Sequence, residues 1–96
     1  MKKTLLVGAA LVRANLSGAV LEDTQLSFSD LSGAVLLNVR ALRARFDGAA
    51  LKGARFEGAT LDECGFLKTE MEHADLGTAT LSKCKLVEAK LEGTRI

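Results

Sequence analysis

Every fifth residue of the chain is apolar, from Met1, Leu6, Leu11 and Leu16 through Ala41, Phe46, Leu51 and Phe56 to Leu86, Leu91 and Ile96. Two residues before each of these centres lies a small side chain, Ala at eleven of nineteen positions and otherwise Thr, Ser, Cys or a single Val. A strict period of this kind dictates the architecture, because one unit cannot bury an apolar face alone and must stack on its neighbours. It also limits function, since a sequence given over to repetition has little left with which to encode a site.

A period of five matches neither the three-and-four spacing of an amphipathic helix nor the alternation of a half-buried strand. Within each unit the pattern is nonetheless strand-like. The centre and the small residue two places earlier point the same way, and the residue between them points outward. The next two residues must then turn the chain. Gly8, Gly18, Gly33, Gly48, Gly53, Gly58 and Gly93 all occupy the second position after a centre, where a corner calls for unusual backbone angles.

Short sides and turns repeated in register give a coil. If four units close a square, residues twenty apart stack about 4.8 Å from one another. Leu or Phe centres and small residues then fill the interior as large–small pairs. The exception fits the rule: around Asn38-Val39-Arg40-Ala41-Leu42 the small position is Val39 and the centre is Ala41, a swap that roughly conserves volume. The intervening positions (Asn15, Asp30, Arg45, Arg55, Glu70, Asp75, Lys85 and Lys90) form a solvated face, and Pro is absent. With no break in register, the expectation is an all-β solenoid of about five coils forming one domain over residues 1–96.

On these residues the chain resembles the pentapeptide-repeat proteins, whose unit is approximately Ala-(Asp/Asn)-Leu-x-x. The best local matches are Ala14-Asn15-Leu16-Ser17-Gly18, Ala74-Asp75-Leu76, Ala54-Arg55-Phe56-Glu57-Gly58 and Ala34-Val35-Leu36, and the resemblance covers essentially the whole chain. The Asp or Asn before the centre is kept only at Asn15, Asp30 and Asp75. The resemblance implies a right-handed quadrilateral β-helix. It also points to three kinds of member: small stand-alone proteins of unknown role, DNA-mimicking rods that bind gyrase or another topoisomerase, and structural or targeting modules of larger proteins, including secreted effectors. A DNA mimic should be negative all along one face. Here residues 1–20, 21–40, 41–60, 61–80 and 81–96 carry +3, −2, +2, −4 and +2, which argues against gyrase as the partner.

Solenoids usually cap their ends, because an open end exposes core and unpaired strand groups. No polar cap follows the last centres Leu81, Leu86, Leu91 and Ile96, so this end is the candidate surface for an end-to-end homodimer, the arrangement that relatives often use. Met1-Lys2-Lys3 followed by Leu5 to Val12 has the outline of a secretory signal. Because Leu6, Leu11, Ala9 and Ala14 sit on the register, the first coil is the preferred reading; the stretch is too short to span a membrane.

Leu5, Val7, Val12, Val20, Val35, Leu37, Leu42, Leu67 and Val87 are apolar at outward positions, and Phe28 takes a corner that is Gly8 or Gly48 in the adjoining coils. Phe28, Leu37, Leu42, Leu67 and Val87 are the candidate partner surface, although Phe28 also suits the simpler task of covering glycine backbone. Asp62, Glu63, Glu70, Glu72 and Asp75 form a candidate acidic patch, with the single histidine, His73, among them. Such a run is most often a solvated face, and no metal site is expected. Cys64 and Cys84, twenty apart at the small position, should stack as structural thiols; their spacing would allow a disulfide but suits zinc poorly. No nucleophile elbow, phosphate loop or His–carboxylate arrangement is present, and a packed coil lacks the concave, water-poor pocket that acid–base catalysis needs. The sequence therefore predicts a non-enzymatic, cytoplasmic protein-binding or scaffold module without cofactor, nucleic-acid or membrane partner.

Overall fold

The computed structural model describes residues 4–94, so the first and last centres, Met1 and Ile96, and the basic residues Lys2 and Lys3 lie outside the described residues. The chain winds as a four-sided coil in which each side pairs in parallel with the residues twenty further on. One side is a parallel sheet of β1 (Val20–Glu22), β2 (Arg40–Leu42), β3 (Thr60–Asp62) and β4 (Thr80–Ser82), in that order. The other three pair through single residues and are named here by one member. The Gln25 side carries Leu5, Gln25, Arg45, Gly65 and Lys85. The Asp30 side runs from Ala10 to Lys90, and the Val35 side from Asn15 to Asp75. Residues 5–12 take part, through Leu5 with Gln25 and Ala10 with Asp30, so this stretch is part of the first coil.

Hydrogen bonds run along the axis, as when the Leu26 N–H donates to the Arg45 carbonyl at 2.7 Å and the Gln25 N–H to that of Thr4 at 2.8 Å. At most corners the small residue's N–H donates back to the preceding centre, for example Ala34 to Leu31 at 2.9 Å, while the residue before it has positive φ. That combination is a type II turn. Positive φ occurs at every described second-after-centre position except Thr78, including ten residues other than glycine. The sequence pointed to the glycines; the fold also holds Arg13, Phe28 and Glu63 in the same left-handed conformation at the corners. At Thr78 the β-branched side chain, which is poorly suited to positive φ, changes the local pairing. Its hydroxyl accepts the Gly58 N–H at 2.9 Å, whereas the neighbouring ladder bonds of this type end on a carbonyl.

Centres and small residues meet inside. From Leu21 to Leu76 all of them are buried, including the swapped pair Val39 and Ala41. Phe46 and Phe66 stack one coil apart, with centroids 5.0 Å apart and planes 3° from parallel, and Phe56 meets both edge-on from the opposite side. Such ring pairs contribute about 0.5–1.5 kcal/mol beyond area burial. Polar small residues are accommodated by donating to nearby carbonyls: Ser29 Oγ to Leu26 at 2.6 Å and Thr69 Oγ1 to Phe66 at 3.0 Å. Burial falls off toward both ends, where Leu6, Leu11 and Leu16, and likewise Leu81 and Leu86, are only partly covered.

Candidate interaction surface

Because the backbone ladders run along the axis, the outer surface is built from side chains alone, and these also form axial ladders. The alternating charge of successive coils sets opposite charges above one another. Arg43 grips Asp23, twenty residues earlier, with both its Nε (2.7 Å) and Nη2 (3.1 Å). Lys52 Nζ approaches Glu70 at 3.6 Å and Lys68 approaches Glu88 at 3.9 Å. Within a coil, Arg45 pairs with Asp47 and Arg55 with Glu57. The hydrogen bond and charge of Asp23 raise the pKa of the Arg43 guanidinium, and Glu57 does the same for Arg55. These are exposed contacts, and they add to register more than to stability.

The three Asp/Asn residues kept before a centre share one task. Asn15, Asp30 and Asp75 each accept, through Oδ1, the N–H two residues on (Ser17 at 3.0 Å, Ser32 at 3.1 Å and Gly77 at 2.9 Å). Hydrogen bonding to the Ser32 side chain, and then to its N–H, lowers the pKa of Asp30. Asp47, one turn position further along, does equivalent work across coils by accepting the Leu67 N–H at 2.9 Å.

The five acidic residues of coil 61–80 are divided around the square. Asp62 and Glu63 stand at the corner between the sheet and the Gln25 side, Glu70 is on the Asp30 side, Glu72 at that side's far corner, and Asp75 on the Val35 side. Cations meet several of them: Lys52 reaches Glu70, Lys90 pairs in register above it, and Arg55 lies in register beside Asp75. His73 lies across Gly93, close enough that a Cβ there would collide with its ring. Among the described residues no group of three or more His, Cys, Asp or Glu is placed to hold a metal ion.

The five apolar candidates are also divided. Phe28, Leu67 and Val87 share the corner after the Gln25 side, with Leu67 and Val87 in consecutive coils. Leu42 is at the corner before that side, and Leu37 is at the corner leading into the sheet; both are half-buried. Phe28 is 73% exposed and yet lies on Gly48, where an added Cβ would come within 2.6 Å of its ring. The same corner carries Val7, and the Gln25 side itself carries Leu5.

At the C-terminal coil, Leu81 and Leu86 are half-buried and Leu91 is exposed, while Ile96, the fourth member of the candidate end, lies outside the described residues. Cys64 and Cys84 are free thiols at the corner following the sheet. Cys64 Sγ donates to the Ala41 carbonyl at 3.4 Å and Cys84 Sγ to that of Leu61 at 3.3 Å. The adjacent Cys84 sulfur, together with burial, pushes the Cys64 thiol up, and interaction with Cys64 brings Cys84 down to about 7.

A family model of pentapeptide repeats matches eight copies over residues 2–38 and 43–77. The fold is similar to that of a pentapeptide-repeat protein from the thylakoid lumen of Arabidopsis thaliana, with a TM-score of 0.94 and 19% identity over 99% of this chain and 66% of that one. It is also similar to the pentapeptide-repeat protein Rfr23 of the cyanobacterium Cyanothece 51142, with a TM-score of 0.88 and 33% identity over 91% of this chain and 59% of that one. The chain thus spans less than two thirds of the length of either protein. A comparison with curated protein sequences gives no match.

Proposed function

This chain belongs to the pentapeptide-repeat family, and we propose that it is a non-enzymatic, cytoplasmic protein-binding or scaffold module that works through its outer surface. The observation that carries this reading is the division of labour in the coil. The interior from Leu21 to Leu76 is taken up by packed apolar and small side chains, so the charged side chains stand outside, spread over four sides. Acid–base or nucleophilic chemistry needs such groups gathered in a water-poor pocket; here they face solvent and pair along the axis. DNA mimicry is disfavoured by the same ladders, since Arg43 and Lys52 interrupt the carboxylates that a phosphate mimic would have to display.

The same reading includes end-to-end pairing of two copies through Leu81 and Leu86, the partly covered centres of the C-terminal coil, and the exposed Leu91. Light scattering across a hundredfold concentration range should show a dimer that Leu86→Lys abolishes. A monomer at every concentration overturns the pairing. A gyrase supercoiling assay tests the alternative partner, and no change in supercoiling is expected.

A further inference from the structure

We propose that the Gln25 side, with the corner that follows it, docks an extended segment of a partner protein that carries carboxylates between apolar side chains. The proposal rests on the outer-surface reading above and assigns it a place and a chemistry. Among the described residues, five of the eight exposed large apolar ones lie here: Leu5, Val7 and Phe28 toward the first coil, Leu67 and Val87 toward the last. The remaining three are scattered, with Val20 in the sheet, Val12 at a different corner, and Leu91 at the C-terminal coil.

Gly65, in the same coil as Leu67, has Arg45 and Lys85 as its neighbours in register, and the Arg45–Asp47 ion pair folds over its backbone. A shallow trough of ≈ 720 Å³ crosses this side, lined by Arg43, Arg45, Asp47, Leu67, Lys83 and Lys85, among others. Arg43 is held by Asp23, and Arg45 is held by Asp47. Glu63 lines the trough as well, in the corner ladder between Arg43 and Lys83. Lys83, at the corner before this side, and Lys85, on the side itself, form no ion pair with a described carboxylate, and both line the trough. The trough therefore sets Lys83 and Lys85 beside Leu67 and Val87, and its complement is a segment with carboxylates next to apolar anchors.

Two features select a protein segment over other anionic partners. Asp23, Asp47 and Glu63 are interleaved with the cations, so a uniformly negative surface such as a lipid bilayer or duplex DNA would meet repulsion at each of them. The main chain is already committed as well: the Arg45 N–H donates to Thr24, the Gly65 N–H to Ala44, and the Gly65 carbonyl accepts from Phe46. Strand addition to this side is closed, and recognition must run through side chains.

The test uses the full chain, isotope-labelled for amide NMR, and three synthetic ten-residue peptides alternating Leu with Glu, Gln or Lys. The Leu–Glu peptide should saturably shift the amides of Gly65, Leu67, Lys85 and Val87. The double variant Lys83→Glu, Lys85→Glu should weaken it at least fivefold while leaving the thermal melt unchanged. Leu67→Ser should weaken the Glu and Gln peptides alike, isolating the apolar contribution. Equal response to the Leu–Lys peptide overturns the proposal. So does a set of shifts produced by phosphatidylserine vesicles or duplex DNA and not by the peptide. Shifts confined to another side overturn this assignment and leave surface binding standing, whereas absence of binding by all three peptides counts against both.

Discussion

Leu51 and Ala54 face the interior, Arg55 and Glu57 face solvent, and the two pairs are neighbours in sequence under opposite rules. Inside, each position has an assigned volume: Leu51 and Ala54 are wholly buried, and even the one departure, Val39 with Ala41, preserves the sum. Outside, the residue before a centre ranges over Leu5, Gln25, Arg45, Gly65 and Lys85 on a single side. The inner ladder tolerates almost no change in size because it is close-packed on all sides. The outer ladder needs only that charges in successive coils find partners, as Arg43 finds Asp23 and Lys52 finds Glu70. The repeat thus separates stability from recognition residue by residue.

The contrast can be broken first where packing is densest. Phe66→Ala removes a ring stacked on Phe46 and edged by Phe56, and should cost about 3–5 kcal/mol in chemical denaturation. Ala54→Leu, at a fully buried small position, should cost about 1–3 kcal/mol by overpacking. Neighbouring Arg55→Ala and Glu57→Ala should leave the melting temperature unchanged; equal losses inside and outside would mean that the two rules do not differ.

A finer comparison sets Gly48→Ala against Gly53→Ala. Both glycines have nearly the same positive φ, +71° and +68°, but a Cβ at 48 meets Phe28 while one at 53 meets nothing within 4 Å. Both variants should lose roughly 1 kcal/mol to backbone strain. Gly48→Ala should lose more, and the excess should vanish in a Phe28→Ala background. An excess that persists would show that Phe28 does not rest on Gly48 in solution. The smallest effect concerns reactivity: iodoacetamide followed by mass spectrometry should modify Cys84 before Cys64, with the rate rising through about pH 7. Equal rates would remove the distinction between the outer and the buried thiol.

Much of this was legible in the residues. The five-residue period gave the coil, and the interior set from Leu21 to Leu76 follows from it directly, because an inward position in a close-packed solenoid accepts few side chains. The glycine corners were legible as well. Less legible was that Arg13, Phe28 and Glu63 adopt the same backbone, since nothing local favours it. The candidate surfaces were legible only as residue types. Grouping Asp62 and Glu63 with Glu70, Glu72 and Asp75 follows chain order, whereas the square sets them on different sides and corners. Leu37 and Leu42 are likewise separated from Phe28, Leu67 and Val87.

The sequence by itself determined the coil, its interior and its corner positions, because a period is a statement about every unit at once and packing enforces it at each. Only the tertiary structure decided which outer residues are neighbours. Those relations run along the axis between residues twenty apart, so Leu67 lies in register with Val87, Arg43 meets Asp23, and Lys83 and Lys85 line one trough with Leu67. An outer side chain's surroundings are set by the coils beside it rather than by its own pentad, and that is where recognition by this protein would be written.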